Sequence, residues 1–259
     1  MGGGERAPSF VVREGYAYYR GPVAEAGYHR HAAFQVAVAE AGEVAMADAA
    51  GQWLRAPALV VPPMVRHRPA AIGAARMFFV DPHCAFADRL RSRCGAGITA
   101  VPELAGLAEG ELRRLGGDRS GAVDARLRAA LAELTERQLP LPVLAARVGL
   151  SPQRLRALAG QQLGMPLARW RIWQRLVRAA RALGEGQSLA EAALTGGFAD
   201  QAHFSRQLRE MMGLTPSAVL PLLRASAAAG GVHGDRAGEG RDEFGLPDGG
   251  ESGPGDQAG

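Results

Sequence analysis

Gly197-Phe198-Ala199-Asp200-Gln201-Ala202-His203-Phe204-Ser205-Arg206-Gln207-Leu208, with Gly213-Leu214-Thr215-Pro216 behind it, reads as the second half of a helix-turn-helix. Upstream, Ser188 and Glu191 have capping-box spacing, each satisfying a backbone donor beside the other at a helix start. Gly196-Gly197 then offers the turn, and Phe204 with Leu208 forms the inward face of the helix that follows.

The same plan stands 48 or 49 residues earlier, from Leu144 to Leu158. A helix ends at Gly149, where a positive φ turns the chain. Ser151 caps the next helix and Pro152 fits its first position. Leu155 and Leu158 face inward, leaving Gln153, Arg154 and Arg156 on outer or flanking faces. Gly149-Leu150 aligns with Gly197-Phe198, Leu155 with Phe204, and Gly164 with Gly213. Between the copies, Pro166 to Leu183 predicts a helix of about 27 Å. Its apolar stripe is Trp170, Trp173, Leu176, Val177 and Ala180, with Arg171, Arg175 and Arg178 mainly off it. A rod of that length can hold two recognition helices roughly one DNA turn, about 34 Å, apart.

Charge follows the same division. The net charge of +4 averages over three regions, and all 30 basic residues are Arg. Residues 1–139 hold 17 Arg and 15 acids, residues 140–224 hold 11 Arg and only 4 acids, and residues 225–259 hold 2 Arg and 7 acids. A basic segment coinciding with two helix-turn-helix copies is the footprint expected of a nucleic-acid partner.

Residues from about 122 to 220 resemble the DNA-binding domain of the AraC/XylS family of transcription regulators, most closely over Gly197 to Leu208. The resemblance places base-reading positions on Gln201, Ala202, Ser205 and Arg206 in the second motif. In the first it places them on Gln153, Arg156 and Ala157, with Arg154 beside them. Arg can donate two hydrogen bonds to guanine and Gln can pair with adenine, so these residue types suit the major groove. The chain departs from the family at Ala157, Ala159 and Gly160, where Arg and an aromatic are usual, and at Leu208, where Phe is usual. A weaker first reader is expected, since Gly inside a helix costs about 1 kcal/mol relative to Ala.

The N-terminal part has strand periodicity over Phe34–Met46, Gln52–Val61 and Ala75–Val80, broken by Ala41-Gly42, Ala49–Gly51 and Pro62-Pro63. Gly27-Tyr28-His29-Arg30-His31-Ala32-Ala33-Phe34-Gln35 and the later Pro62-Pro63-Met64-Val65-Arg66-His67 resemble the two cupin motifs, with Met64 where cupins favour Gly. The fold class expected is therefore α+β: a cupin-like β-barrel over residues 1–95, then an all-α DNA-binding domain over 122–224 with two helix-turn-helix motifs. Residues 96–121 are read as a helical linker and dimerisation segment. Residues 225–259, with 11 Gly and few large apolar side chains, are read as a disordered acidic tail.

In metal-binding cupins two such histidines, a Glu and a later His form the site; here the set is His29, His31, Gln35 and His67. Gln is a weaker ligand than Glu, and regulators of the resembled family often use the barrel for a small organic effector. An effector pocket at these four residues is thus preferred, with no cofactor; a metal on His29, His31 and His67, and a plain core role, remain alternatives. Trp53, Phe34 and Phe78 are candidates for either pocket lining or ordinary core. Cys84 and Cys94 lack CxxC spacing and read as free thiols.

No apolar stretch reaches 18 residues, the N-terminus has no apolar signal core, and two cysteines imply no disulfide framework, so a cytoplasmic protein is expected. The leading function is a ligand-responsive DNA-binding transcription regulator, a homodimer with double-stranded DNA, a small effector and RNA polymerase as partners. The alternatives are a metal-dependent cupin enzyme and a ligand-independent DNA-binding adaptor.

Overall fold

The computed structural model describes residues 7–115, 117–137 and 139–231. Its first part carries β1 (Ser9–Arg13), β2 (Tyr16–Val23), β3 (Phe34–Ala39), β4 (Val44–Ala47), β5 (Trp53–Ala56), β6 (Ala58–Val61), β7 (Arg68–Pro69) and β8 (Ile72–Val80). There follow α1 (Ala85–Arg91), β9 (Thr99–Ala100), a 3-10 turn at Pro102–Leu104 and α2 (Glu109–Leu115). Six strands pair in the order β1-β2-β8-β3-β6-β9, and β5-β4-β7 form a second sheet. All these pairs are antiparallel. Hydrogen bonding thus runs in two sheets rather than around a closed barrel.

Alternation along β8 separates two cores. Met77 and Phe79 join Ala37, Met46 and Leu59 between the sheets. Phe78 and Val80 point the other way, into a layer closed by Phe86 and Leu90 of α1 and by Val101, Leu107 and Leu112. With both faces covered, β3 is buried along nearly its whole length, which is why its sequence lacks a polar face.

The structure differs from the sequence expectations in several places. Phe34–Met46 divides at the turn signal expected at Ala41-Gly42, with Gly42 at φ 73°, whereas Gln52–Val61 is broken in two at Pro57, which periodicity did not mark. The β1–β2 hairpin, turning at Glu14-Gly15, precedes all the strands that periodicity marked. The sheet domain does not stop at residue 95: β9 pairs with β6, and Leu107 and Leu112 are buried against the first sheet's outer face. The segment read as a linker is therefore a covering layer, because its leucines find apolar surface within their own domain. At the other end, α9 (Pro216–Gly231) runs through Ala225–Ala229 and so into the stretch read as tail; alanines are strong helix formers. The acidic stretch from 232 onward lies outside the described residues.

The second half contains α3 (Ala125–Glu136), α4 (Leu141–Arg147), α5 (Pro152–Leu163), α6 (Leu167–Gly184), α7 (Leu189–Gly196) and α8 (Gln201–Met212), then α9. No helix among the described residues is long and apolar enough to cross a membrane. The halves share one core: β1 packs against α6 and α9, and Phe10, Val12 and Ala17 face Trp173, Leu208, Met212 and Val219 across a narrow gap. Polar anchors reinforce it. Trp173 Nε1 donates to the buried Asp81 carboxylate, and an Arg181 guanidinium nitrogen donates to the Arg13 carbonyl at 3.0 Å.

Candidate nucleic-acid interface and effector site

Both helix-turn-helix units are built from local signals. Ser151 Oγ accepts from Arg154 N–H at the start of α5, and Gly149 turns the chain at φ 66°. In the second unit, Ser188 and Glu191 make the full capping box, and Gly197 turns at φ 86°. Asp200 then caps α8 by accepting from His203 N–H at 2.6 Å. α5 and α8 end alike, at Gly164 and Gly213, both left-handed. Leu155 and Leu158 are buried beneath α5, and Phe204 and Leu208 beneath α8.

What these cores leave outside is polar. Gln153, Arg154, Arg156 and Ala157 are exposed on α5, and Gln201, Ala202 and Arg206 on α8. Ser205 is half-buried and donates to the Gln201 carbonyl at 2.8 Å, which leaves its oxygen as an acceptor. Ala159 is fully buried, so this departure from the resembled family falls on packing, while Ala157 falls on the outward face. The rod α6 buries Trp170, Trp173 and Leu176. Off that stripe, Arg178 is only half-buried, and it donates to the carbonyl of Gly196, the last residue of α7.

The second site lies where the sheet domain meets α8. A β-bridge with mutual backbone hydrogen bonds of 3.0 Å joins His29 to His67. The loop carrying His67 is held by Met64 N–H donating to the His31 carbonyl at 2.7 Å, with Met64 at φ 64°. A left-handed non-glycine costs about 1–2 kcal/mol, so the loop keeps the conformation glycine would favour without the glycine. The rings of His29, His31 and His67 converge, with ligand-capable nitrogens within 4.8 Å of one another, all three residues being buried.

Their hydrogen-bond partners limit where the protons sit. Carbonyl oxygens only accept, so the contact of His29 Nδ1 with Gly27 O (2.8 Å) takes its proton from Nδ1, while His67 Nδ1 lies 2.9 Å from Val65 O. Desolvation holds all three rings below the ordinary imidazole value, His67 at about 4 and His31 well below it. A neutral ring carries one proton, which leaves a bare lone pair at Nε2 of His29 and sets one proton of His67 between acceptors at its Nδ1 and its Nε2. Nε2 of His29 lies 3.2 Å from His31 Nε2, and Nε2 of His67 lies 2.8 Å from Gln35 Oε1.

A cleft of about 270 Å³ opens beside this cluster. Its walls include Phe10, Tyr19, Met77 and Phe79 from the sheets and Met212, Gly213, Leu214, Val219 and Leu222 from the helices, with His29, His31 and Gln35 at one end. Three of the four residues expected at a pocket therefore line this one, and His67 stands behind them. Of the aromatics considered for pocket lining, Phe34 and Phe78 belong to the opposite core and Trp53 is 43% exposed on β5. Neither composition nor periodicity signals that one wall of the cleft comes from the end of α8, the turn after it and α9, since those residues are more than 130 positions away from Met77 and Phe79. The cysteines are unpaired; burial raises both thiols, Cys84 to about 11.

Residues 144–221 match a family described as a helix-turn-helix domain. The whole chain is similar in structure to ToxT from Vibrio cholerae O395, with 10% identity, coverage of 81% of this chain and 98% of that one, and a TM-score of 0.53. A structure of ToxT from strain SCE256 with an unsaturated fatty acid bound is similar at 9% identity, coverage of 83% and 98%, and a TM-score of 0.54. An AraC-type regulator from Chromobacterium violaceum aligns over 38% of this chain and 92% of its own, at 27% identity and a TM-score of 0.36. No curated protein matches. Residues 144–221 form a helix-turn-helix domain, carried behind a sheet domain in the fold that ToxT has.

Proposed function

We propose that the protein is an effector-responsive DNA-binding transcription regulator in which α8 serves both tasks. The observation that carries this reading is the double exposure of that one helix. Its outward face presents Gln201, Ala202 and Arg206, while its C-terminal end, Met212-Gly213, walls the cleft in the sheet domain. A ligand that fits the cleft in only one arrangement of the two halves biases where α8 sits, and hence how both readers meet successive major grooves. The apolar walls and the imidazole–amide end suit an elongated apolar molecule with a polar head, the chemistry of the fatty acid bound in ToxT.

A regulator is favoured over an enzyme because the histidine cluster offers no acid–base partner. The one carboxylate lining the cleft, Glu25, is paired with Arg68 at 3.1 Å. Paired promoter sites would call for a second copy of the chain, and activation for RNA polymerase. The copy would have to dock elsewhere than on Leu107 and Leu112, which are already buried.

Selection of bound fragments from genomic DNA by the full chain, followed by footprinting, tests the proposal. Protection of two major-groove segments about 10 base pairs apart is expected, and an unsaturated fatty acid should change the affinity severalfold. Equal affinity for selected and random duplexes would overturn it.

A further inference from the structure

We propose that a second cleft, between the β1–β2 turn, α3 and the first half of α6, binds a free α-amino acid. Trp170 and Arg128 hold its carboxylate, and acidic side chains of the same cleft hold its ammonium. The site is separate from the cleft beside His29 and does not rest on the regulator reading.

α6 sets two indoles against the sheet domain, and only one of them is answered. Trp170 and Trp173 stand three residues apart and so on one face of the helix. Asp81 and His83, which meet them, lie just beyond the end of β8. Trp173 Nε1 donates to the Asp81 carboxylate. Trp170, only 1% exposed, meets the His83 ring instead, edge to face, with 5.8 Å between centroids. That contact is not a hydrogen bond: Trp170 Nε1 and His83 Nδ1 are both buried and unpartnered. An indole nitrogen only donates, so Trp170 calls for an acceptor, the part that a carboxylate plays for Trp173.

Both residues line a cleft of about 690 Å³ with walls from both halves of the chain. Arg128 of α3 stands in it. One of its guanidinium nitrogens donates to the Ser120 carbonyl at 2.9 Å, which orients the side chain. The rest of the fork makes no hydrogen bond among the described residues. An oriented guanidinium beside an indole N–H suits a carboxylate, since Arg can donate two parallel bonds and Trp a third. Both unpartnered nitrogens lie beneath the surface, so the half-buried His83 ring turns aside as the carboxylate enters.

The other charges of the cleft argue against a plain acid. Glu14, Asp118 and Glu136 also line it, all exposed and none in an ion pair among the described residues. Of the cations, Arg119 alone is left to offset them. These acids attract an ammonium and repel a second carboxylate. A zwitterion answers both the donors and the acids, and a cleft of this size has room for its side chain. An occupant there touches the sheet domain and the helical half at once.

The test uses the full chain, titrated with L-leucine and with L-arginine by calorimetry. The indole Nε1–H resonances of the three tryptophans, assigned by through-bond NMR, report where binding occurs. Saturable binding of at least one of the two is expected. The Trp170 resonance should move downfield, and those of Trp53 and Trp173 should stay nearly unmoved. Arg128→Gln should weaken binding at least tenfold, and Glu14→Gln, at an exposed position outside the core, severalfold. Isocaproate and isoamylamine, which are leucine without its ammonium and without its carboxylate, should each bind at least tenfold more weakly than the amino acid. A Trp170 resonance unmoved by both amino acids overturns the site. Isocaproate binding as tightly as leucine overturns the zwitterion. Undiminished binding to the Arg128→Gln protein overturns the place given to the carboxylate. None of these samples contains DNA, so a failure of the regulator reading would appear separately, in the selection experiment.

Discussion

In the second helix-turn-helix, Gly196 is wedged so tightly that a Cβ would stand 2.9 Å from both Ala179 Cβ and the Arg175 carbonyl; in the first, Gly160 lies on the exposed side of α5 with nothing within 4 Å. The contrast extends along both units. α7 opens with a capping box and closes under the Arg178 guanidinium, whereas α4 starts at Pro140 with no side-chain cap. α8 is capped by Asp200 and seated on the sheet domain. α5 instead borders an open cleft of about 610 Å³ between Leu134, Leu144 and Leu167. Two copies of one plan have thus been built to different tolerances: a tightly packed second unit joined to the sheet domain, and a more openly packed first one.

Core truncation is the harshest way to break this comparison. Phe204→Ala should cost about 3–5 kcal/mol, because the surrounding second unit cannot close over the lost ring. Leu155→Ala, the equivalent change in the helix that borders the open cleft, should cost about 2–3 kcal/mol, near the low end for such truncations. Urea midpoints with matched slopes measure both, and equal losses would mean that the units are equally firm.

Readout comes next. Arg206→Ala should weaken specific binding by about 1–3 kcal/mol and relax one position of the site, leaving affinity for random duplex nearly unchanged. Arg156→Ala should cost less than about 1 kcal/mol in specificity and mainly reduce the salt dependence, as a phosphate contact does. Competition binding at two salt concentrations separates the two behaviours. A larger specificity loss at Arg156 would reverse the ranking of the readers.

The close approach at Gly196 gives a comparable magnitude by a different route. Gly196→Ala forces a methyl into backbone and side-chain atoms of α6 that cannot withdraw, so a loss of about 1–3 kcal/mol is expected. A Tm unchanged from the parent protein would show that α7 can slide away from α6.

How much of this was legible depended on how local the cause is. Gly149, Ser151, Gly197 and the Ser188–Glu191 pair act within a turn of themselves, and the helices begin and end where these residues say. The His29–His31 spacing also carried the right grouping, since bridge and loop bring His67 to them. The cleft was not legible, because its second wall is supplied by residues 212–222 and no periodicity reports a contact between domains. Nor was the covering role of Leu107 and Leu112: a leucine pattern fixes that a face is buried, not against what. Trp53 illustrates the same limit, an aromatic that lies partly exposed on its strand under the Arg68 guanidinium, 4.9 Å from the ring.

The mildest change tests the loose unit where it is loosest. Gly160 lies inside α5 with helical neighbours on both sides and no positive φ to preserve. Gly160→Ala adds a methyl into open space and removes conformational freedom from the unfolded chain, so a gain of about 0.5–1 kcal/mol is expected. The same substitution that damages the second unit at Gly196 should therefore strengthen the first. If α5 is a reader that must adapt on contact with DNA, the stiffened helix should also bind random duplex no better while its selected site tightens slightly, through a smaller ordering cost on binding. Thermal denaturation and competition binding on the single variant decide it. A loss of stability would place Gly160 against something that the open surface of α5 does not show.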